Sequence, residues 1–548
     1  MEQVVKRGAG TVHLAAKSAV APLLAIILLS PSVVWIFRDL RVWPWDQAYY
    51  AELTLKIHHA VENGPPAGLK AFLTVPDSRP PLLPWLAQAA TPLIRLVGSP
   101  ERALLLTNIA AGAVMLWLVY SATRRFGGDP GTALAAMLLC AGSSDFIALN
   151  HQFLVESVQS MAVIGLACTA LRADRLSCLR LAAATLCWAA LALLAKTTSV
   201  GFVAPFLLYI GLVCAIAGAK RQSATSADVW LLLGASLLVA VTIAWYAMNW
   251  SAIVAHISEA AKGDIALLYG AVRPLPVKLQ YWSREMLRAL SPFPWLAGLI
   301  LLVSVVAIVI AAARQLRRDL KNLLRTAVDS GLLFALCLTG TVIAGLFAYS
   351  RTIEEDPRFL APMVPLVVLL FSWSLATLAR RWLTASAAVL LAFNWVATHA
   401  IAQGLVSFSP ALGYLQAPRA EPVSIERMTR AVRESCDSAH PNRLNIIGAE
   451  LQDFSTVSAW FYAEKLYPTL GYRCNYTSLG YAQSDVDVAI KRIYDVNPEF
   501  IVTLPLDELH DDPFNHLSRP IAEWLATNRD FERITPERDS LVVYRRRQ

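Results

Sequence analysis

The chain is 548 residues long, 56% hydrophobic and only 16% charged, with a mean hydropathy of +0.48. A soluble domain carries about 25% charge, so this deficit excludes a wholly soluble protein and places most of the chain in lipid. The net charge of +8 does not require nucleic acid, because Lys and Arg sit in short clusters between apolar runs, as in the cytoplasmic loops of a polytopic protein.

The first apolar run, Ala19 to Phe37, is long enough to span and lacks a small-residue cleavage site, so it reads as a retained helix. Basic clusters then punctuate the chain: Lys6, Arg7 and Lys17; Arg124-Arg125; Arg172, Arg175 and Arg180; Lys220-Arg221; Arg314, Arg317, Arg318, Lys321 and Arg325; Arg380-Arg381. Keeping every cluster inside the cell fixes the parity of spans between them. Leu181 to Ala219 is almost unbroken, yet basic clusters flank it on both sides. It must therefore be two short spans with a tight outer turn at Lys196-Thr197-Thr198-Ser199.

The resulting fold class is a polytopic α-helical membrane protein with about eleven spans: 18–37, 101–121, 131–148, 152–171, 181–196, 200–218, 229–249, 291–313, 329–349, 359–378 and 383–403. The N-terminus is cytoplasmic, and the outer connections are 38–100, 149–151, 197–199, 250–290 and 350–358. From about Leu405 the composition changes. Apolar β-type runs (444–447, 500–503, 541–544) alternate with helical patterns at 457–466 and 486–494, which argues a C-terminal extracytoplasmic α/β domain over 405–548 after a membrane domain over 1–404. Six cysteines lie in or beside apolar runs and read as small core residues, whereas Cys436 and Cys474 lie in the polar tail and suit a disulfide if that tail is extracytoplasmic. No internal repeat and no glycine-rich nucleotide loop is present.

Five charged side chains fall in the outer connections or at the outer ends of spans. Asp46 follows the first span among Trp45, Tyr49 and Tyr50; partial desolvation there makes a carboxylate a better base, and a helix cap is the structural alternative. Arg79 is held by Pro80-Pro81 and suits bidentate phosphate binding, or else reaches to lipid headgroups. Glu156 is an acid inside an apolar helix, a functional candidate by its cost alone. His151 beside it reads as structural. Lys196 at the outer turn binds a phosphate or a headgroup. Arg358 follows the acidic run Glu354-Glu355-Asp356 and binds a phosphate or closes a salt-bridged loop. Two acids and three cations at one membrane face match the needs of an anionic lipid-phosphate substrate.

At these residues the sequence resembles the GT-C membrane glycosyltransferases, especially the aminoarabinose lipid A transferases and protein O-mannosyltransferases. Asp46-Gln47-Ala48-Tyr49-Tyr50-Ala51-Glu52 is similar to their acid-plus-tyrosine helix in the first outer loop. Arg79-Pro80-Pro81-Leu82-Leu83-Pro84-Trp85 is similar to their basic-Pro-Pro-Leu element. Glu156, Lys196 and Arg358-Phe359-Leu360-Ala361-Pro362 fall where that family has a second acid, a lysine and a basic-aromatic-Leu-x-Pro motif. The chain departs in having Gln47 for a second acid, Glu156 for an aspartate and Phe359 for a tyrosine.

The resemblance implies an inverting transfer from a polyprenyl-phosphate sugar to an envelope glycan, lipid or protein at the outer face of the plasma (inner) membrane. Asp46 and Glu156 are then the catalytic acids. Arg79, Lys196 and Arg358 hold the donor phosphate, and Trp45, Tyr49 and Tyr50 line the substrate pocket. No cofactor is required, with a divalent cation between Asp46 and Glu156 left open, and no nucleic-acid partner is expected. A lipid-linked substrate transporter or flippase is the rival class.

Overall fold

The computed structural model describes residues 2–76, 78–217, 223–318, 327–328, 331–407, 415–436, 444–468, 475–480 and 483–547. Asp77, Lys220-Arg221, Lys321, Arg325 and Cys474 lie outside them. Cys436 is disulfide-bonded, and the six cysteines of the helical part are free.

Helix starts follow local chemistry. Ser99, Asp129, Ser143 and Ser177 each accept a hydrogen bond from the backbone amide three residues on, and proline opens the helix after Ser99 and Asp129. Among the described residues nine helices are long and apolar enough to cross a membrane, or ten if a bent pair counts as one span. Each of the eleven expected spans coincides with one of these or with the shorter helix Val155–Ala170. That helix has 16 residues, about 24 Å at 1.5 Å per residue, which falls short of a full crossing.

Two interruptions shape the bundle. Pro130–Ala141 and Ser144–Asn150 meet at 63° instead of forming one rod. A Cβ on Gly142 would lie 2.9 Å from the backbone of Trp395, and Asn394 Nδ2 donates to the Gly142 carbonyl at 2.8 Å, so the neighbouring helix occupies the bend. The long apolar stretch around Lys196 does divide as charge parity requires. Cys178–Ala195 ends at Lys196 in extended backbone, and a 3-10 turn leads into Val200–Ala217. Helix Met363–Leu378, after a 3-10 turn at Pro357–Leu360, is buried along residues 363–375 and forms the centre of the bundle.

The C-terminal sheet has the order β2 (Asn475–Ser478), β1 (Leu444–Ile447), β3 (Phe500–Thr503), β5 (Val542–Arg546), β4 (Phe531–Arg533). β1 runs parallel to β2 and β3, and β5 is antiparallel to β3 and β4. Period-two alternation splits these strands between two cores. Ile446, Ile501, Val542 and Tyr544 pack under helices Val486–Val496 and Ser518–Thr527. Ile447, Phe500, Val502 and Val543 face helices Val423–Cys436 and Thr456–Leu466, and that core runs on into the first outer loop through Val42, Trp43, Leu55 and Leu83. Residue 405 is thus a change of composition and not a gap in packing. β2 and β4 were not apparent in the sequence: the polar run Asn475-Tyr476-Thr477 forms an edge strand, where polar residues are tolerated.

Candidate active site

The loop after the first span, residues 38–100, folds into helices, and Trp45–Glu62 is the one that carries Asp46. Its approach is rigid. The Trp43 ring stacks between Phe153 of the helical part, at 5.6 Å, and Phe461 of the sheet domain, at 5.7 Å. Ser458 donates to the Trp43 carbonyl at 2.8 Å. Trp45 then sits at φ +31°, a region that bulky side chains rarely adopt and that costs of order 1–3 kcal/mol unless the surroundings hold it. The outcome is that Asp46 does not cap its helix; the cap position is Pro44 and no side chain fills it.

Instead, both oxygens of Asp46 meet guanidiniums. Arg79 Nη1 lies 2.5 Å from Oδ1, and Arg358 Nη1 lies 3.1 Å from Oδ2. Burial alone would raise the Asp46 carboxyl, but the charges of Arg79 and Arg358 reverse this and hold it well below the usual carboxylate range. The Arg79 guanidinium also lies 4.9 Å over the Tyr49 ring and 5.9 Å from Tyr50, so it points inward and does not reach to headgroups. Arg358 is anchored in turn by Asp356, whose Oδ2 takes its Nε at 2.7 Å. The salt-bridged loop and the link to Asp46 therefore coexist.

A second pair lies beside the first. Lys196 Nζ is 2.8 Å from Glu156 Oε1 and 4.2 Å over the Phe359 ring, next to Arg358. Glu156 Oε2 is buried without a hydrogen-bond partner. Two groups connect the pairs. Tyr50 is within electrostatic reach of both Asp46 and Glu156. Glu354 feels Asp356, Lys196, Arg358 and Asp46, and burial together with Asp356 pushes its carboxyl up to about 7. All five charged residues expected from the sequence, with Tyr49 and Tyr50, are thus gathered in one place. His151 is stacked on Trp35 at 4.1 Å, with Nε2 3.2 Å from Ser32 Oγ, a structural setting.

Sequence reasoning missed three contributors. Glu354 was visible only as part of an acidic run. Tyr269 and Phe514 gave no signal; their rings lie 5.2 Å apart, and Phe514 lies 5.4 Å from Trp45. Lys278, 2.9 Å from Glu355, and Tyr281, which donates to the Glu355 carbonyl, hold the loop that carries Glu354. Among the described residues no cluster of three or more His, Cys, Asp or Glu is arranged to hold a metal ion. Asp46 and Glu156 take cationic side chains as partners.

The whole chain superposes on the crystal structure of ArnT from Cupriavidus metallidurans bound to undecaprenyl phosphate. The TM-score is 0.54 at 14% identity, covering 95% of this chain and 97% of that one. The apo state of the same protein gives 0.54 at 15% identity, covering 97% and 98%. The fold is that of the GT-C membrane glycosyltransferases. The family model for dolichyl-phosphate-mannose-protein mannosyltransferase matches this chain over residues 78–246, the stretch that contains Arg79, Glu156 and Lys196. The arabinofuranosyltransferase AftD from Mycobacteria aligns with a TM-score of 0.48 at 12% identity, over 97% of this chain and 39% of its own. No curated protein matches the chain in sequence.

Proposed function

We propose that the chain transfers a sugar from a polyprenyl-phosphate donor to an extracytoplasmic acceptor with inversion. One observation carries the reading: two arginines from separate loops converge on a single, partly exposed carboxylate, which is an anion site filled by the protein's own anion. An incoming lipid phosphate is the stronger bidentate partner for both guanidiniums. It displaces Asp46 from them and, with Lys196, completes a preorganised cationic cradle.

Freed from its two counter-charges, the Asp46 carboxyl rises toward the range of a working base. It takes the proton of the acceptor hydroxyl as that oxygen bonds to the anomeric carbon. The bond from that carbon to the phosphate oxygen breaks on the opposite face, and the lipid phosphate leaves held by Arg79, Arg358 and Lys196. Glu156, with one carboxylate oxygen uncommitted, orients the acceptor or the sugar. The reading places the N-terminus in the cytoplasm, residues 405–548 outside, and the protein in the plasma (inner) membrane. ArnT has the same fold and binds undecaprenyl phosphate in its crystal structure, which supports the donor class.

The test uses purified full-length protein in nanodiscs with a radiolabelled polyprenyl-phosphate sugar. Binding of undecaprenyl phosphate and release of the label onto an acceptor are expected. Movement of intact lipid-linked sugar across a bilayer without cleavage would instead establish a transporter.

A further inference from the structure

We propose that Trp45, Tyr269 and Phe514 form the platform of an acceptor subsite that takes the sugar ring of a glycan or glycolipid, with Glu354 supplying a hydroxyl contact. The inference rests on the glycosyl-transfer reading and names its acceptor. Trp45 immediately precedes Asp46, so whatever rests on its ring lies beside the base. Phe514 comes from the loop before helix Ser518–Thr527 of the sheet domain and lies between the other two rings, 5.4 Å from Trp45 and 5.2 Å from Tyr269.

The next residue, Gly270, forms a β-bridge with Glu354, and Glu355 N donates to the Tyr269 carbonyl at 3.1 Å. Aromatic surface from three distant segments is thereby tied to an acid within electrostatic reach of Asp46, Arg358 and Lys196.

Three features of this cluster fit a sugar better than a peptide hydroxyl. All three rings remain partly exposed, although packing between domains ordinarily buries aromatics. The face of an aromatic ring is electron-rich, and the C–H face of a pyranose or furanose is apolar with a slight positive charge, so the two stack. The polar rim required by the sugar hydroxyls is also present. Trp45 Nε1 is a buried donor without a partner, and the Glu354 carboxylate forms no ion pair among the described residues. A buried donor left unmatched costs about 1–3 kcal/mol, which a substrate oxygen offsets.

The experiment measures transfer from a labelled polyprenyl-phosphate sugar by full-length wild-type, F514L and F514W proteins. Three acceptor probes are used: an alkyl glycoside, a free oligosaccharide and a Ser/Thr peptide. Wild type is expected to use the sugar probes. F514L, which keeps the packing volume but loses the ring, raises the acceptor KM by about tenfold, and F514W recovers it. Donor KM and undecaprenyl phosphate affinity stay constant across the three proteins. Use of the alkyl glycoside alone identifies a membrane glycolipid, and use of both sugars identifies a polysaccharide. Transfer to the peptide alone, transfer to none of the probes while the donor is still bound and consumed, or an unchanged acceptor KM in F514L overturns the subsite. Failure to bind or consume the donor at all removes the glycosyl-transfer reading itself.

Discussion

Lys196 reaches Glu156 across 2.8 Å, from the break between two helices to the first turn of a third. Only 3% of the Glu156 side chain is exposed, so neutralising it alone leaves an ammonium facing an uncharged amide in a poorly solvated place. E156Q is expected to lower stability by about 3 kcal/mol. The double variant E156Q/K196M recovers most of that in a thermal melt but transfers no sugar. Wild-type transfer by the double variant would remove both residues from the chemistry.

Asp46 occupies the two guanidiniums to which the proposed function assigns the donor phosphate. D46N is expected to cut transfer by about 10²–10⁴-fold, the usual weight of a general base. The same variant binds undecaprenyl phosphate at least as tightly as wild type, because a competing internal anion is gone. Weaker lipid-phosphate binding by D46N would contradict the displacement step.

Arg79 has a separable role. R79A is expected to raise the donor KM by about tenfold or more with little change in acceptor KM, and R79K recovers only part of it because an ammonium cannot form the planar fork. Parallel changes in both KM values would assign Arg79 to the scaffold.

Glu354 predicts a pH dependence. Its carboxyl is pushed up to about 7 by burial and by Asp356, against the opposing pull of Lys196 and Arg358; Asp46 adds to the rise. Its ionised form is the stronger acceptor for a sugar hydroxyl, so acceptor affinity rises as pH increases through about 7. E354Q flattens that limb of the kcat/KM profile for acceptor while leaving donor binding unaltered. A profile that keeps its limb in E354Q excludes this assignment.

A second raised acid bears on folding. Glu450, buried in the sheet domain beside Thr456, is pushed up to about 7 from 4.5 by burial, with the Thr456 hydrogen bonds opposing. A folded-state pKa above the unfolded one means stability that is fully present below about 4.5 and lost as pH rises through about 7. The difference corresponds to roughly 3 kcal/mol at most. E450Q is expected to melt with less change between pH 5 and pH 8 than wild type. An equal loss in both proteins would place the titrating group elsewhere.

The helical scaffold was legible because lipid imposes a simple rule. Each span needs a long apolar run, and the basic clusters count the crossings, which located the break at Lys196 without any contact information. Asp46, Arg79, Glu156, Lys196 and Arg358 were legible as members of a set, since charge parity assigns each to the same end of the spans or to a connection there. Their pairing was not, because a loop of this length leaves the partner of Arg79 open, and a proline-fixed arginine suits lipid headgroups equally well. Phe514 was out of reach for a different reason. A lone phenylalanine in a polar loop has no periodicity, and its role comes only from the docking of the sheet on the first outer loop.

That docking limits the modularity of the chain. Phe461, Phe500 and Val502 of the sheet domain share one apolar interior with Trp43 and Leu55 of the loop that bears Asp46. An exchange of this domain for that of a distant relative would disturb the loop that positions Asp46 as well as the sheet domain's own surface. Divergence of the two parts is therefore constrained to proceed together, and chimeras are expected to function only when the loop travels with the sheet domain.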